Sequence, residues 1–196
     1  MLKEKLENLE LVFDDIFYER CEKYTALLQQ WGKIHNLTAS LKTEEIINNI
    51  VDSIYPLKFL DSFNSLADVG TGAGYPGMIL AIAKPSVKVV LVEPRAKRVA
   101  FLNFVKSALK LTNVIIEQKR IEDLNDVQFD IITSRAVSNT TLLLDLTKHL
   151  KDENTQYLFY KGSLCDQEIK DAHVENCEVF KVGDHRNYLY MKNKGI

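Results

Sequence analysis

Leu66-Ala67-Asp68-Val69-Gly70-Thr71-Gly72-Ala73-Gly74-Tyr75-Pro76-Gly77 is the stretch on which the fold turns. The apolar run 66–69 predicts a strand, and the apolar run 77–83 predicts a helix, so the glycines join a strand to a helix. Four of the eight glycines of the chain, Gly70, Gly72, Gly74 and Gly77, fall between residues 70 and 77. The freedom to turn sharply, and to let a ligand approach without a Cβ in the way, is thus concentrated at one point. N–H groups at the start of the following helix suit a polar or anionic ligand group. The second half of the stretch also matches the dinucleotide pattern GxGxxG.

Downstream, short apolar runs alternate with helical patterns. Strands are predicted over 87–92, 114–117, 129–133, 156–160, 178–182 and 188–191, and helices over 96–111 and 142–150. Strands alternating with helices predict an α/β fold, a mostly parallel sheet covered on both faces. Gly183-Asp184 begins a link between the last two strands that is too short for a parallel crossover, so these two are antiparallel. Upstream the pattern is helical. Apolar residues from Leu2 to Trp31 recur at three- and four-residue steps, with room for a break near Asp14-Asp15 and an end at Gly32. A loop follows over Lys33-Ile34-His35-Asn36-Leu37, and Thr43-Glu44-Glu45 then reads as an N-cap with acids in the first turn. The organisation is a helical extension over 1–63 packed on an α/β domain over 64–196.

A chain of 196 residues with 46% hydrophobic and 27% charged residues suits one folded core and is too apolar for disorder. It has no apolar run long enough for a membrane span, and the acidic residues near its start do not suit a signal peptide. Three widely spaced cysteines, Cys21, Cys165 and Cys177, read as reduced thiols of a cytoplasmic protein, with no zinc site and no disulfide framework. The net charge of −2 argues against a nucleic-acid binder, but residues 84–120 carry nine Lys/Arg against two acids, a net of +7. A basic segment in an otherwise acidic chain can form a local anion-attracting surface.

Glu93 ends the second strand, 19 residues after Gly74. An acid there can accept hydrogen bonds from the ribose hydroxyls of an adenosine, which NAD and S-adenosylmethionine share. Asp68 separates the two. It could orient the loop or approach the amino group of a methionine moiety, whereas beside a pyrophosphate its charge would repel.

The loop resembles motif I of class I S-adenosylmethionine-dependent methyltransferases. More narrowly, DVGTGAGYPG, with KRVAFL after the second strand and SRAV after the fourth, resembles the small-subunit ribosomal RNA guanine-N7 methyltransferases, also called glucose-inhibited division protein B. Tyr24, Leu27, Leu28, Trp31, Lys33, Asn36, Leu37 and Thr38, with Asp52-Ser53 and Tyr160-Lys161-Gly162, fit the same family, so the resemblance covers roughly 24–162. It implies a Rossmann-like seven-stranded sheet with an antiparallel last strand. It also implies S-adenosyl-L-methionine as cofactor and transfer to N7 of a guanine of 16S rRNA, guanine 527 in the 530 loop. The expected partner is 16S rRNA or the small subunit, with no metal and a monomer favoured. By the same resemblance Gly70, Gly72, Gly74, Tyr75, Glu93 and Arg135 fall at the cofactor, with Asp68 beside them, and Ile121 and Glu122 fall beside the adenine. Two positions depart from the family: Gly32 replaces its usual Asn, and Asn49 stands where a His is frequent. Both are expected to lie away from the cofactor loop.

The chemistry of the remaining residues agrees. No Asn/Asp-Pro-Pro-aromatic motif of amino-group methylation follows strand four, and no cysteine stands there for a covalent pyrimidine adduct. Guanine N7 is a lone-pair nucleophile without a proton, so alignment and water exclusion suffice and no general base is expected. His35, His149, His173 and His185 are scattered and read as surface or structural, and Trp31 and Tyr24 read as core. Arg135 and Lys161, at the carboxyl ends of strands four and five, are candidates for the cofactor carboxylate or RNA phosphate. Lys97 and Arg98, with Arg95, Lys119 and Arg120, are candidates for RNA attraction. Two other readings use the same loop: a non-catalytic S-adenosylmethionine-binding or ribosome-associated protein, and an NAD-dependent dehydrogenase.

Overall fold

Seven strands make one sheet: β1 (Ser65–Val69), β2 (Lys88–Val92), β3 (Val114–Glu117), β4 (Ile131–Arg135), β5 (Gln156–Lys161), β6 (Cys177–Val182) and β7 (Arg186–Lys192). Their order is β3-β2-β1-β4-β5-β7-β6, so the chain reverses direction across the sheet between β1 and β4. The first five are parallel and β7 is antiparallel to both its neighbours. The computed structural model describes residues 1–35, 37–135, 137–183 and 186–192. Asn36, Ala136, Asp184 and His185, named above in the loop, the SRAV motif, the last link and the histidines, lie outside the described residues, as do the side chains of Ile34 and His35.

Strand periodicity builds two cores. Leu66, Val89, Leu91, Ile131 and Leu158 point to one face, and Ala67, Val69, Val90, Val92 and Ile132 to the other. The first face carries α1 (Leu2–Glu7), α2 (Asp15–His35), α3 (Thr43–Ile54), α4 (Gly77–Ala83) and α5 (Ala96–Ala108). The second carries α6 (Thr140–Thr147) and α7 (Cys165–Asp171). Because α4 lies between β2 on one side and α2 and α3 on the other, nearly all of its residues are buried and it is apolar all round. The N-terminal helices are thus laid directly over the helix that the glycine loop opens.

Local boundaries differ from the sequence reading for identifiable reasons. The first helix stops at Glu7, followed by Glu10 in a left-handed turn (φ 59°), and Asp14 Oδ1 restarts the helix by accepting Phe17 N–H at 2.8 Å. Gly32 does not end α2, which runs on to His35 through residues expected to form a loop. Leu41 methyl groups occupy the space a Gly32 side chain would need, so the glycine serves packing rather than termination. Thr43 does not cap α3. Lys42 stands at the cap, and the Thr43 hydroxyl accepts Gln29 Nε2 at 3.0 Å. β4 starts two residues later than expected because Asp130 turns back to accept the N–H groups of Asn64 (2.6 Å) and Ser65 (3.2 Å). α6 starts earlier because Asn139 caps it, its Oδ1 accepting Leu142 N–H at 2.9 Å.

Candidate functional site

The glycine loop leaves β1 with Gly70, Gly72 and Gly74 at φ 67°, 61° and 106°, conformations costly for any other residue. Its N–H groups, that of Ala73 aside, are spoken for. Gly70 and Thr71 donate to Val92 O, Gly72 to Glu93 Oε2, Gly74 and Tyr75 to Thr71 O, Met78 to Gly74 O, and Gly77 to Asp68 Oδ2 at 2.8 Å. The expected cradle of free N–H groups is therefore absent at these positions. A pyrophosphate would have to break this set, whereas a ligand with no anion over the loop would not. That disfavours the dinucleotide reading of GxGxxG.

The loop forms the floor of a cleft of about 560 Å³ at the carboxyl ends of the parallel strands. The volume suits one small-molecule cofactor. Gly70, Thr71, Gly72, Ala73 and Tyr75 line it from β1, Glu93, Pro94, Arg95 and Arg98 from β2 and α5, and Arg135 and Val137 from β4. Leu37, Thr38 and Ala39, between α2 and α3, close it from the N-terminal side. The cleft straddles β2, β1 and β4, where the strand order reverses, which is where open parallel sheets bind ligands.

Glu93 is 2% exposed, with Oε1 accepting Arg95 N–H at 3.0 Å and Oε2 accepting Gly72 N–H at 3.1 Å and Arg98 Nη1 at 3.3 Å. The carboxylate is held at the cleft wall in a fixed orientation. Asp68 is fully buried and does not line the cleft. It fastens the start of α4, and burial pushes its carboxyl up to about 6. Its place is beneath the loop, where it holds the N–H of Gly77. Gly74 also lies beneath, where a Cβ would stand 2.8 Å from Met78 Cβ and 3.3 Å from Leu102 Cδ2.

Arg135 lies with its guanidinium 4.7 Å from the centroid of the Tyr75 ring, and its Nη1 donates to Asn49 Oδ1 (2.9 Å) and Asp52 Oδ2 (3.1 Å). Asn49 is therefore next to the cleft, not remote from it. Tyr75 packs edge-on against Tyr24, whose hydroxyl donates to Ala73 O at 2.8 Å. Burial drives the Tyr75 phenol up to about 12. Asp68 Oδ1, Thr71 Oγ1 and Tyr75 Oη are buried in the loop and the strand that enters it, with the Thr71 hydroxyl beside the Asp68 carboxyl and the Tyr24 hydroxyl beside that of Tyr75.

The structure does not bring every candidate together. Ile121 and Glu122 form a 3-10 turn after β3, with Ile121 in the second core and Glu122 exposed, at the same sheet edge but outside the cleft lining. Lys161 is 6% exposed; its ammonium donates to Glu168 Oε2 at 2.7 Å and Ser138 O at 3.1 Å, so it is engaged inside the fold. Lys97 is exposed on α5 outside the cleft, and Arg98 is inside it. Thr38, Asn49 and Asp52 carried no local signal of the cleft beyond their place in a resemblance, and Ala39 carried none. Cys21 and Cys165 are buried, Trp31 packs on Phe101 and Phe104, and the His149 ring contacts Leu124 O at 2.8 Å, all structural placements.

Comparison with known proteins is consistent across the chain. Residues 18–190 match the family model described as GidB, rRNA small subunit methyltransferase G. A ribosomal RNA small subunit methyltransferase G of Aliarcobacter butzleri is 55% identical over 98% of both chains. That of Wolinella succinogenes is 47% identical over 97% of both. A SAM-dependent O-methyltransferase of Thermotoga maritima shares the fold at 15% identity and TM-score 0.61, over 84% of this chain and 71% of that one. With the cleft, its bound-up glycine loop and its buried Glu93 in place, these matches mean that the chain belongs to the rRNA small subunit methyltransferase G family.

Proposed function

We propose that this protein transfers a methyl group from S-adenosyl-L-methionine to N7 of a guanine in 16S rRNA, guanine 527 of the 530 loop. Small-subunit rRNA methylation follows from the family, and the base and atom are our assignment. The observation that carries it is the convergence of the glycine loop, Glu93 and Arg135 on one cleft at the strand-order reversal.

The residues present fit the cofactor. Glu93, held by two backbone N–H groups, presents a carboxylate to ribose hydroxyls at the head of β2. Gly70 and Gly72 keep the floor free of side chains, and Arg135 provides positive charge at the far wall. Ile121 and Glu122 we assign to the adenine edge. When bound, S-adenosylmethionine supplies an electrophilic methyl on a sulfonium centre. The chain's part is to hold, align and exclude water, and the 37–39 segment closes the cleft for that purpose. Among the described residues no histidine lines the cleft, in keeping with a nucleophile that has no proton to lose.

Arg95, Lys97 and Arg98 crowd the first turn of α5, beside Lys119 and Arg120 after β3, at the carboxyl edge of the sheet. Cations at a helix N-terminus oppose the macrodipole, at roughly 0.3–1 kcal/mol each. A local rule broken next to a cleft points to an anionic partner, and RNA phosphate is the one the family brings. We infer a monomer acting in the cytoplasm; among the described residues no helix is long and apolar enough to cross a membrane.

The test is transfer of tritiated methyl from S-adenosylmethionine to small subunits from a strain lacking the gene, with chemical mapping of 7-methylguanosine. One new N7-methylguanine at position 527 is expected. Methylation at another base or atom corrects the target. No transfer alongside tight S-adenosylhomocysteine binding moves the function to a non-catalytic binder.

A further inference from the structure

Two side chains one turn apart on α3 converge on the end of β4. Asn49 Oδ1 and Asp52 Oδ2 both accept Arg135 Nη1. The other Asp52 oxygen accepts Arg186 Nε at 2.7 Å and the Tyr188 hydroxyl at 2.9 Å. Tyr160 donates its hydroxyl to Ser53 O at 2.6 Å, which pins the same turn of α3 to β5. One carboxylate thus joins α3, β4 and β7. All of this lies within a partly buried cluster, Asp52 at 15% and Arg135 at 16% side-chain exposure. Arg135 is clamped on its other side by the Tyr75 ring. Two guanidiniums around one carboxylate leave the cluster with a net charge of +1.

We propose that Asp52, with Asn49, is the positioning device that sets Arg135 to receive the α-carboxylate of the cofactor's methionine end. This rests on the S-adenosylmethionine reading of the cleft. Glu93 takes the ribose at the β2 wall, so the amino-acid end lies toward β4. The only carboxylate of such a ligand then meets the wall that Arg135 lines. Of the three arginines that line the cleft among the described residues, Arg95 and Arg98 stand beside Glu93 at the ribose wall, Arg98 bonded to its carboxylate. Arg135 stands at the opposite wall with one nitrogen saturated by α3. A guanidinium fixed in this way binds a carboxylate without first losing its own rotamer freedom.

Charge and position make opposite predictions. Asp52→Asn raises the cluster from +1 to +2, which by charge alone would tighten a carboxylate. Loss of the fixed Arg135 would weaken it. Calorimetry on the full-length protein would use two probes, S-adenosylhomocysteine and 5′-methylthioadenosine, which has the same adenosine and thioether but no carboxylate. Asp52→Asn is expected to weaken S-adenosylhomocysteine about tenfold and to change 5′-methylthioadenosine by less than about twofold. Equal loss for both probes, no change, or tighter S-adenosylhomocysteine overturns the proposal. Asn49→Ala removes one acceptor without leaving a charge unpaired, and carries the test if Asp52→Asn does not fold. A selective loss of about threefold is expected, and a non-selective or absent one overturns the proposal. Failure of both probes to bind the wild-type protein overturns the cofactor reading itself, and the proposal with it.

Discussion

Arg98 Nη1 lies 3.3 Å from Glu93 Oε2, the same carboxylate oxygen that accepts the N–H of Gly72. Glu93 is nearly inaccessible and Arg98 is about a third exposed, so the pair is anchored on one side and open on the other. The carboxylate therefore has two duties: it shapes the floor loop and it faces the cleft. Glu93→Ala is expected to weaken S-adenosylhomocysteine by about 1–3 kcal/mol, since charge-assisted bonds to the ligand are lost. Calorimetry checks this, and unchanged affinity would remove Glu93 from the site.

Arg98 should behave differently from its partner. Arg98→Gln is expected to leave S-adenosylhomocysteine affinity within about threefold, because Gly72 and Arg95 N–H still orient Glu93. It should weaken RNA binding at low salt and reduce the slope of log K against log salt by about 1. Filter binding across a salt series reads both quantities.

Asp68 yields a pH prediction. Burial raises its folded-state value to about 6, above that of an unfolded aspartate. The folded state therefore binds the proton more tightly, so this contribution to stability is present below about pH 4 and is lost as pH rises through about 6. A shift of about two units corresponds to roughly 3 kcal/mol as an upper figure. Asp68→Asn keeps an acceptor for Gly77 N–H and does not titrate. The melting temperature of the variant, measured relative to wild type, should move in favour of the variant between pH 4 and pH 7. A difference independent of pH would mean that Asp68 stays ionised throughout.

Lys161 is expected to matter for folding rather than for RNA. Its ammonium links Glu168 and Ser138 O, and Glu168 also accepts Thr140 N–H at 2.8 Å at the start of α6. Burial opposes the charge on Glu168, yet the hydrogen bonds from Lys161 and Thr140 hold its carboxyl below the ordinary value. Lys161→Met removes one partner of a mostly buried pair and should cost about 2–4 kcal/mol in urea unfolding. The salt slope for RNA binding should stay unchanged, and a fall of about 1 would return Lys161 to the RNA contacts.

Gly77 is set by space. A Cβ there would overlap Leu91 Cδ2 and lie 2.7 Å from Asp68 Cβ and Oδ2. Both belong to strands in the middle of the sheet and have little room to move. Gly77→Ala should destabilise by about 1–3 kcal/mol and loosen the α4 start, seen as faster amide exchange at Met78 and Ile79.

The loop 66–77, the short apolar runs of the strands alternating with helical patterns and the apolar 77–83 helix were enough, from sequence, to place the parallel sheet, its glycine floor and Glu93. Each of these signals is local: a period, a turn or a spacing within about twenty residues. What sequence alone could not settle depended on segments meeting across the fold. Asn49 and Arg135 are 86 residues apart and meet only because α3 is packed over α4. Gly32 read as a stop because nothing nearby announces Leu41. Lys161 read as a candidate for an RNA phosphate because its partner Glu168 arrives only when α7 folds back. Several N–H groups of the loop read as free because their acceptors, Val92 O, Glu93 and Asp68, lie on β2, at its end and beneath the floor. Local periodicity and turn chemistry determined the fold and the place of Glu93 at the head of β2. The tertiary structure decided which polar groups were left for a ligand, because hydrogen-bond partners are assigned by packing and not by sequence distance.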